Sequence, residues 1–377
     1  MFAELEAAIA SRRAGGGDLV PLHIGDTHRA PPAAARYEAQ LAGARDEDLY
    51  AYGATVGLAE LRDALCVYAA SKGRGFAGMS GAANVQLGVG ATHALSCAAR
   101  VVLGPGDDAL LAAPYWPLAH GIVASTGARV IEVVRRESDA DAAEAFERAL
   151  TPKTRAIYMI TPNNPDGRVL SRSDLAAIGR LAVKHDLWVI ADEVYADYAF
   201  ASDHHALSRE DGMAERTISA FSFSKSHALA GARVGYVLAP AGVVSAMRKL
   251  STHSVFNVPV LMQRSALAAL GDEAWVAEAR ADYLRARDSV SVAFEGSGAR
   301  FRPAEGGVYL FVDFSELLGG RPLRRLLELA VARGVLLAPG EAFGEAFSTS
   351  ARLCYSSAPL PRVLEGVARL REAIADL

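Results

Sequence analysis

The sequence predicts an α/β protein, with a large unit built on a mostly parallel sheet sandwiched by helices and a smaller α+β unit beside it. Three observations carry this. Short apolar, β-prone runs alternate with helical stretches over roughly 200 residues, the pattern of a layered α/β architecture. Those runs are continuously apolar rather than alternating, as in strands covered on both faces. The last third changes character, and 377 residues exceed what one ordinary core organises.

Taken in order, "MFAELEAAIASRRAGGGDL" reads as a short amphipathic helix ended by glycines. It lacks the basic-then-apolar order of a secretory signal. The first 45 residues show little sheet pattern and are expected beside the smaller unit. Strands are predicted at "VIEVV" (130–134), "AIYMI" (156–160), "WVIAD" (188–192), "TISAF" (217–221) and "VGYVLA" (234–239). Between them, "SRSDLAAIGRLAVKH" (171–185) predicts a helix with Ser171 as N-cap and Asp174 at N3, a variant of the capping box. A long helical region at about 260–295 precedes "GGVYLFVDF", "GVLLAPGEAF" and "ARLCYSS", read as strands of the second unit. The expected division is residues 46–285 for the large unit, and 1–45 with 286–377 for the small one.

Composition narrows the function. The chain is 51% hydrophobic and 22% charged with a net charge of −4, and has no basic stripe of the nucleic-acid-binding kind. No apolar run reaches membrane-spanning length. Cys66, Cys97 and Cys354 lie far apart and form no CxxC, which suits buried thiols in a reducing compartment. A soluble cytoplasmic protein without a metal site is expected.

In open α/β sheets ligands bind beyond the carboxyl ends of strands, so the polar residues there are the candidates. In "NVQLGVGATHALSCAARVV" (84–102) a glycine turn leads into a helix at Ala91 and Thr92. The free amides there suit a phosphate, although a plain turn reads the same. In "APYWPLAH" (113–120) Trp116 is either a ring that stacks on a flat ligand or a rim or core aromatic. "TPNNPDGRV" (161–169) is a turn that offers the Asn164 amide. Asp192 ends an apolar strand in "IADEVYADY", and a buried carboxylate there needs a cation, an arginine or a protonated ring nitrogen. Tyr195 follows three residues later. In "SAFSFSKSHALAGARVG" (219–235) Lys225 follows a buried strand, where desolvation lowers a lysine's pKa and frees its amine to attack aldehydes. Ser222 and Arg233 supply a hydroxyl and a guanidinium for a phosphate. An aldehyde, a phosphate, a flat ring and a ring nitrogen in one ligand describe pyridoxal 5'-phosphate.

The ordered set "YGATVGLAELRDAL", "PNNPDG", "ADEVY", "SFSKSHALAGARVG" and "ARLCYSS" resembles the fold-type I pyridoxal-phosphate enzymes, specifically the aspartate-aminotransferase-like class I/II aminotransferases, over nearly the whole chain. The resemblance implies a seven-stranded-type sheet and transfer of an amino group between an α-amino acid and a 2-oxo acid by a ping-pong mechanism. It implies Lys225 as the lysine joined to the cofactor aldehyde, Asp192 as partner of the ring nitrogen, and Tyr195 with Asn164 at the ring hydroxyl. Trp116, with Tyr115 as a rival, is similar in position to the stacking aromatic. Ala91, Thr92, Ser222 and Arg233 look like the phosphate cup. Tyr52 resembles the tyrosine that reaches the partner's phosphate, which implies a homodimer. Arg352 looks like the clamp for the substrate α-carboxylate.

The segment "LHIGDTHRAPP" (22–32) departs from the pattern. Gly25 matches, but His28 and Arg29 stand where relatives have apolar or aromatic residues. His28 is either a substrate contact or a solvated loop residue. Arg29 is the one candidate for binding a second substrate carboxylate. His204 and His205 read as a surface loop, and Glu341 as a turn residue. The alternative activity on the same scaffold is another pyridoxal-phosphate reaction: β-elimination with carbon–sulfur cleavage, cyclisation or oxidation of an amino acid. The alternative from a different class is a regulator that uses such a domain as a sensor; a DNA-binding unit is expected ahead of it, and the residues before Tyr52 show no basic helix-turn-helix pattern.

Overall fold

Residues 6–42, 44–201 and 203–377 are described by a computed structural model. Its strands in chain order are β1 (Val20–Pro21), β2 (Val85–Val89), β3 (Asp108–Ala113), β4 (Arg129–Val134), β5 (Thr154–Ile160), β6 (Trp188–Asp192) and β7 (Thr217–Ser222). They continue as β8 (Val234–Leu238), β9 (Arg300–Phe301), β10 (Tyr309–Asp313), β11 (Val335–Leu336), β12 (Ala338–Pro339) and β13 (Ser350–Cys354).

The large sheet has seven strands in the order β2-β8-β7-β6-β5-β3-β4. Every pair is parallel except the two that β8 makes with β2 and β7. The period-two alternation of a strand explains its apolar runs, because both faces are covered. Tyr158, Ile190, Ile218, Ala220 and Val237 pack on one face against helices Gly90–Val102, Pro117–Ala124 and Ala241–Ser254. Ile157, Met159, Val189 and Ala191 turn to the other face, toward Ala142–Ala149 and Arg172–Lys184. Phe221, Tyr236 and Leu238 extend that second face toward Ala59–Ser71 and Val260–Leu270. Helix Arg172–Lys184 starts as its sequence predicts: Ser171 Oγ accepts from Asp174 N at 3.1 Å, and the Asp174 carboxylate accepts from Ser171 N at 3.3 Å.

The smaller sheet is antiparallel, in the order β12-β13-β10-β9. It shares an apolar core with helices Glu273–Phe294, Leu323–Arg333 and Leu360–Ala375. The helical region at 260–295 is two helices, parted at Gly271 and Asp272, and Asp272 caps the second by accepting from Trp275 N at 3.0 Å. The first 45 residues do not all lie beside the small unit. Helix Glu6–Ala14 packs on Leu323–Arg333, and β1 pairs with β11. Tyr37–Leu41 packs instead on Val260–Leu270. Among the described residues no helix is long and apolar enough to cross a membrane.

Register decides where the site lies. Ile160 pairs with Asp192, Asp192 with Ala220, Ser222 with Gly235 and Val89 with Val234. The carboxyl ends of β2, β5, β6 and β7 therefore meet at one edge. The reversed β8 begins at that same edge and brings Arg233 to it.

Candidate active site

A cavity of about 240 Å³ opens at this edge. Its walls include Gly25, Ala91, Thr92, Trp116, Asn164, Asp192, Tyr195, Ser222, Lys225, Arg233 and Arg352. Residues far apart in sequence thus converge, because the sheet edge gathers the strand ends and β13 carries Arg352 across from the smaller sheet.

One end of the cavity is built for an anion. Ala91 and Thr92 lie in the first turn of the 13-residue helix Gly90–Val102, where backbone N–H groups lack partners within the helix. Ser222 caps the short helical turn Phe223–Ser226, its Oγ accepting from Ser224 N at 3.1 Å. Arg233 sits in the left-handed region, at φ 53°, which is uncommon for a residue with a side chain. Its carbonyl accepts from Gly90 N at 2.8 Å, which ties the end of its turn to the start of helix Gly90–Val102. A Cβ on Gly90 would run into the Arg233 guanidinium, so glycine there leaves room for the cation.

The opposite chemistry lies at the end of β6. Asp192 is 3% exposed, and Val194 N donates to its Oδ1 at 3.3 Å. Burial pushes its pKa up to about 7, because no cation pairs with it among the described residues. A buried acid that faces the cavity, with no cation paired to it among the described residues, is the feature that a protonated ring nitrogen completes. The helix start with Ser222 and Arg233 matches a phosphate, and the amine of Lys225 matches an aldehyde. On these donors, pyridoxal phosphate fits the cavity.

The third wall comes from the small sheet and the segment before it. Arg352 is 7% exposed; its Nη1 donates to Asn164 Oδ1 at 2.8 Å and its Nη2 to the His23 carbonyl at 2.8 Å. Its guanidinium lies 4.3 Å from the ring centre of Tyr309 and 4.8 Å from that of Phe343. The Tyr195 and Tyr309 hydroxyls are 2.6 Å apart. Lys225 Nζ donates to the carbonyl of Gly25, which also packs so closely on Tyr309 that a Cβ would strike the phenol. Tyr309 also lines the cavity and was not among the residues singled out from sequence. Tyr309 was visible only as part of a strand; its position two residues from Phe311, the cross-strand partner of Arg352, is the signal that register supplies.

Not every other expectation falls within the cavity. Trp116 lines it, whereas its rival Tyr115 is buried elsewhere, donating to Glu132. His28 is not among the lining residues; its Nδ1 lies 3.1 Å from the Ser356 carbonyl. Arg29 is engaged by Asp282 and Glu278 and stacks on Trp275, so it does not supply a free cation to the site. Tyr52 is 89% exposed, with its ring edge-on to Phe256. His204 departs from the surface-loop reading: its side chain is buried against the buried carboxylate of Glu193, which draws the loop inward. No cluster of metal-ligating side chains occurs among the described residues.

A buried ion pair braces the turn that carries Tyr195. Arg74 Nη2 lies 2.7 Å from Asp197 Oδ1, and the Tyr68 hydroxyl donates to the same oxygen at 2.9 Å. Arg74→Ala would strand that carboxylate in the interior, and we expect a loss of about 3–5 kcal/mol, measured by denaturant unfolding. A change below about 1 kcal/mol would mean that water replaces the pair.

The sequence pattern of the family "Aminotransferase class I and II" matches residues 18–370. The arginine–pyruvate transaminase AruH of Pseudomonas aeruginosa is 35% identical over 270 residues, 70% of this chain and 68% of that protein. The aspartate/prephenate aminotransferase of Thermus thermophilus is 32% identical over 366 residues, 94% of this chain and 91% of that protein. Among solved structures, a single mutant of Thermus thermophilus aspartate aminotransferase superposes with a TM-score of 0.90 at 28% identity, covering 98% of this chain and 95% of that one. N-succinyldiaminopimelate aminotransferase from Mycobacterium tuberculosis gives 0.88 at 28% identity, covering 99% and 96%. With this fold and this cavity, the chain belongs to the class I and II aminotransferases, pyridoxal-phosphate enzymes that move an amino group between an α-amino acid and a 2-oxo acid.

Proposed function

We propose that the cavity is the transamination site and that its residues divide the work as follows. Bound pyridoxal phosphate supplies an aldehyde to take up the amino group and a ring that withdraws electrons from the substrate Cα–H bond. Lys225 holds the cofactor at rest, and its freed amine takes the Cα proton at Nζ. Asp192 keeps a positive charge at the ring nitrogen, Tyr195 and Asn164 meet the ring hydroxyl, and Trp116 covers the ring. Ala91, Thr92, Ser222 and Arg233 hold the phosphate. Arg352 grips the substrate α-carboxylate by two parallel hydrogen bonds, which fixes the Cα–H bond in the orientation that the chemistry needs. What supports the reading is one observation: an amine, an uncompensated buried carboxylate and a buried guanidinium line a single cavity.

The cations lining the cavity are Lys225, Arg233 and Arg352, and each has an assignment. With Arg29 held by Asp282, no cation among the described residues lining the cavity is left for a second carboxylate. The amino donor we propose is therefore a monocarboxylic amino acid. The protein is further read as a cytoplasmic homodimer in which Tyr52 reaches the partner's phosphate site; the exposure of Tyr52 supports this.

The test is a panel of single amino acids added to the yellow holoenzyme without an oxo acid. Monocarboxylic donors should bleach the visible absorbance at lower concentrations than aspartate or glutamate; the reverse order sinks the assignment of donor class. In steady-state kinetics Arg352→Ala should raise KM for the donor by about 100-fold, the scale of losing a charge-assisted bidentate contact. A change of less than threefold would mean that another residue holds the carboxylate.

A further inference from the structure

We propose that Tyr309 is a shared positioning residue: its hydroxyl orients that of Tyr195, and its ring, with that of Phe343, holds the plane of the Arg352 guanidinium. The inference rests on the roles proposed above for Tyr195 and Arg352.

The strand register makes one side chain serve both. Phe311 on β10 is the direct partner of Arg352 on β13. Tyr309, two residues earlier, emerges on the same face and is diagonal to the arginine. The guanidinium lies near two aromatic rings, at 4.3 Å from Tyr309 and 4.8 Å from Phe343. Its two Nη atoms have partners in Asn164 and His23, but its buried Nε has none among the described residues. The rings therefore supply the restraint on that side that a third hydrogen bond would otherwise give. Arg352 reads a planar carboxylate with a planar fork, so a tilt of that plane weakens both contacts together.

The hydroxyl acts in the other direction. Each phenol has one proton, and the two oxygens are 2.6 Å apart, so only one donates across the gap. For the Tyr195 proton to face a ligand in the cavity, Tyr309 must be the donor of the pair. An O–H that accepts such a bond is polarised and becomes a better donor itself. The tight packing of Gly25 on the Tyr309 phenol keeps that oxygen in place.

The experiment uses three holoenzyme variants and two readouts, the pH midpoint of the cofactor's visible absorbance and KM for the amino donor. Tyr309→Phe, nearly isosteric, should raise the midpoint by about 0.5 pH unit while KM stays within twofold. Phe343→Leu should raise KM roughly five- to tenfold and leave the midpoint where it was. Tyr309→Leu should move both. A midpoint unchanged in Tyr309→Phe overturns the role of the hydroxyl. A KM within twofold of the parent in both leucine variants overturns the role of the rings. Lys225→Ala run alongside separates the levels: if it keeps the absorbance and the activity, the reading of the site is wrong, whereas unmoved Tyr309 variants beside an inactive Lys225→Ala sink only this inference.

Discussion

Lys225→Ala is expected to lose the visible absorbance of the lysine-bound cofactor and to lower amino transfer by at least about 10⁴-fold. The size follows from removing a positioned proton carrier, worth about 10²–10⁴ alone, together with the covalent anchor. The surroundings should be left intact. Lys225 belongs to a short helical turn whose cap is Ser222, and the contact it forfeits, to the Gly25 carbonyl, is made by its side chain. Far-UV circular dichroism should match the parent, and an added primary amine is expected to restore a small fraction of the rate. Normal turnover in this variant would refute the assignment.

Asp192→Asn should produce two opposite effects. In the cofactor-free protein it should stabilise the fold at alkaline pH. The carboxyl has a folded pKa raised by burial to about 7, against 3.8 for an ordinary aspartate. Below about pH 4 both folded and unfolded chains hold the proton, and the substitution changes little. Between there and pH 7 the unfolded aspartate ionises while the folded one does not, so the parent loses stability as pH rises. Above pH 7 the deficit levels off at about 4 kcal/mol, which the neutral asparagine avoids. In the holoenzyme the same substitution should lower activity by about 10²–10³-fold, the scale of losing one pre-placed charge. Thermal unfolding of the cofactor-free pair at pH 4.5 and pH 8 checks the first effect. Equal differences at the two pH values would mean that Asp192 is ionised and solvated in the folded chain.

The architecture was legible where one physical cause dominates. The runs at 156–160 and 188–191 are apolar throughout because helices cover both sides of the sheet. The start of helix Arg172–Lys184 was legible because a cap is a local hydrogen-bond problem with a local solution. The direction of β8 was not, since a strand's residues look alike run either way. Trp116 was preferred over its rival Tyr115 by resemblance alone, because neighbouring aromatic residues diverge in space; the fold turns one to the cavity and the other to Glu132. Tyr309 stayed hidden because its importance comes from register with Arg352, a contact between distant segments. The histidine at 204 misled for a related reason. Polar loop composition predicts exposure, but the buried carboxylate of Glu193 gives an imidazole cause to turn inward.

The reversal of β8 has a consequence for engineering. The connection from Phe223 to Arg233 returns directly into a neighbouring strand, so it is pinned at both ends by the β7–β8 ladder. A laboratory-evolution library that lengthened or shuffled it would disturb the amine and the guanidinium at once. The segment from Leu22 to Pro32 is tethered mainly through its carbonyls to Lys225, Arg352, Cys354 and Ser356, contacts that are indifferent to the identity of its side chains. New donor preferences should therefore be sought by diversifying that segment while keeping Gly25, which has no room for a Cβ beside Tyr309, and Thr27 and Arg29, whose side chains are tied to Tyr283 and Asp282.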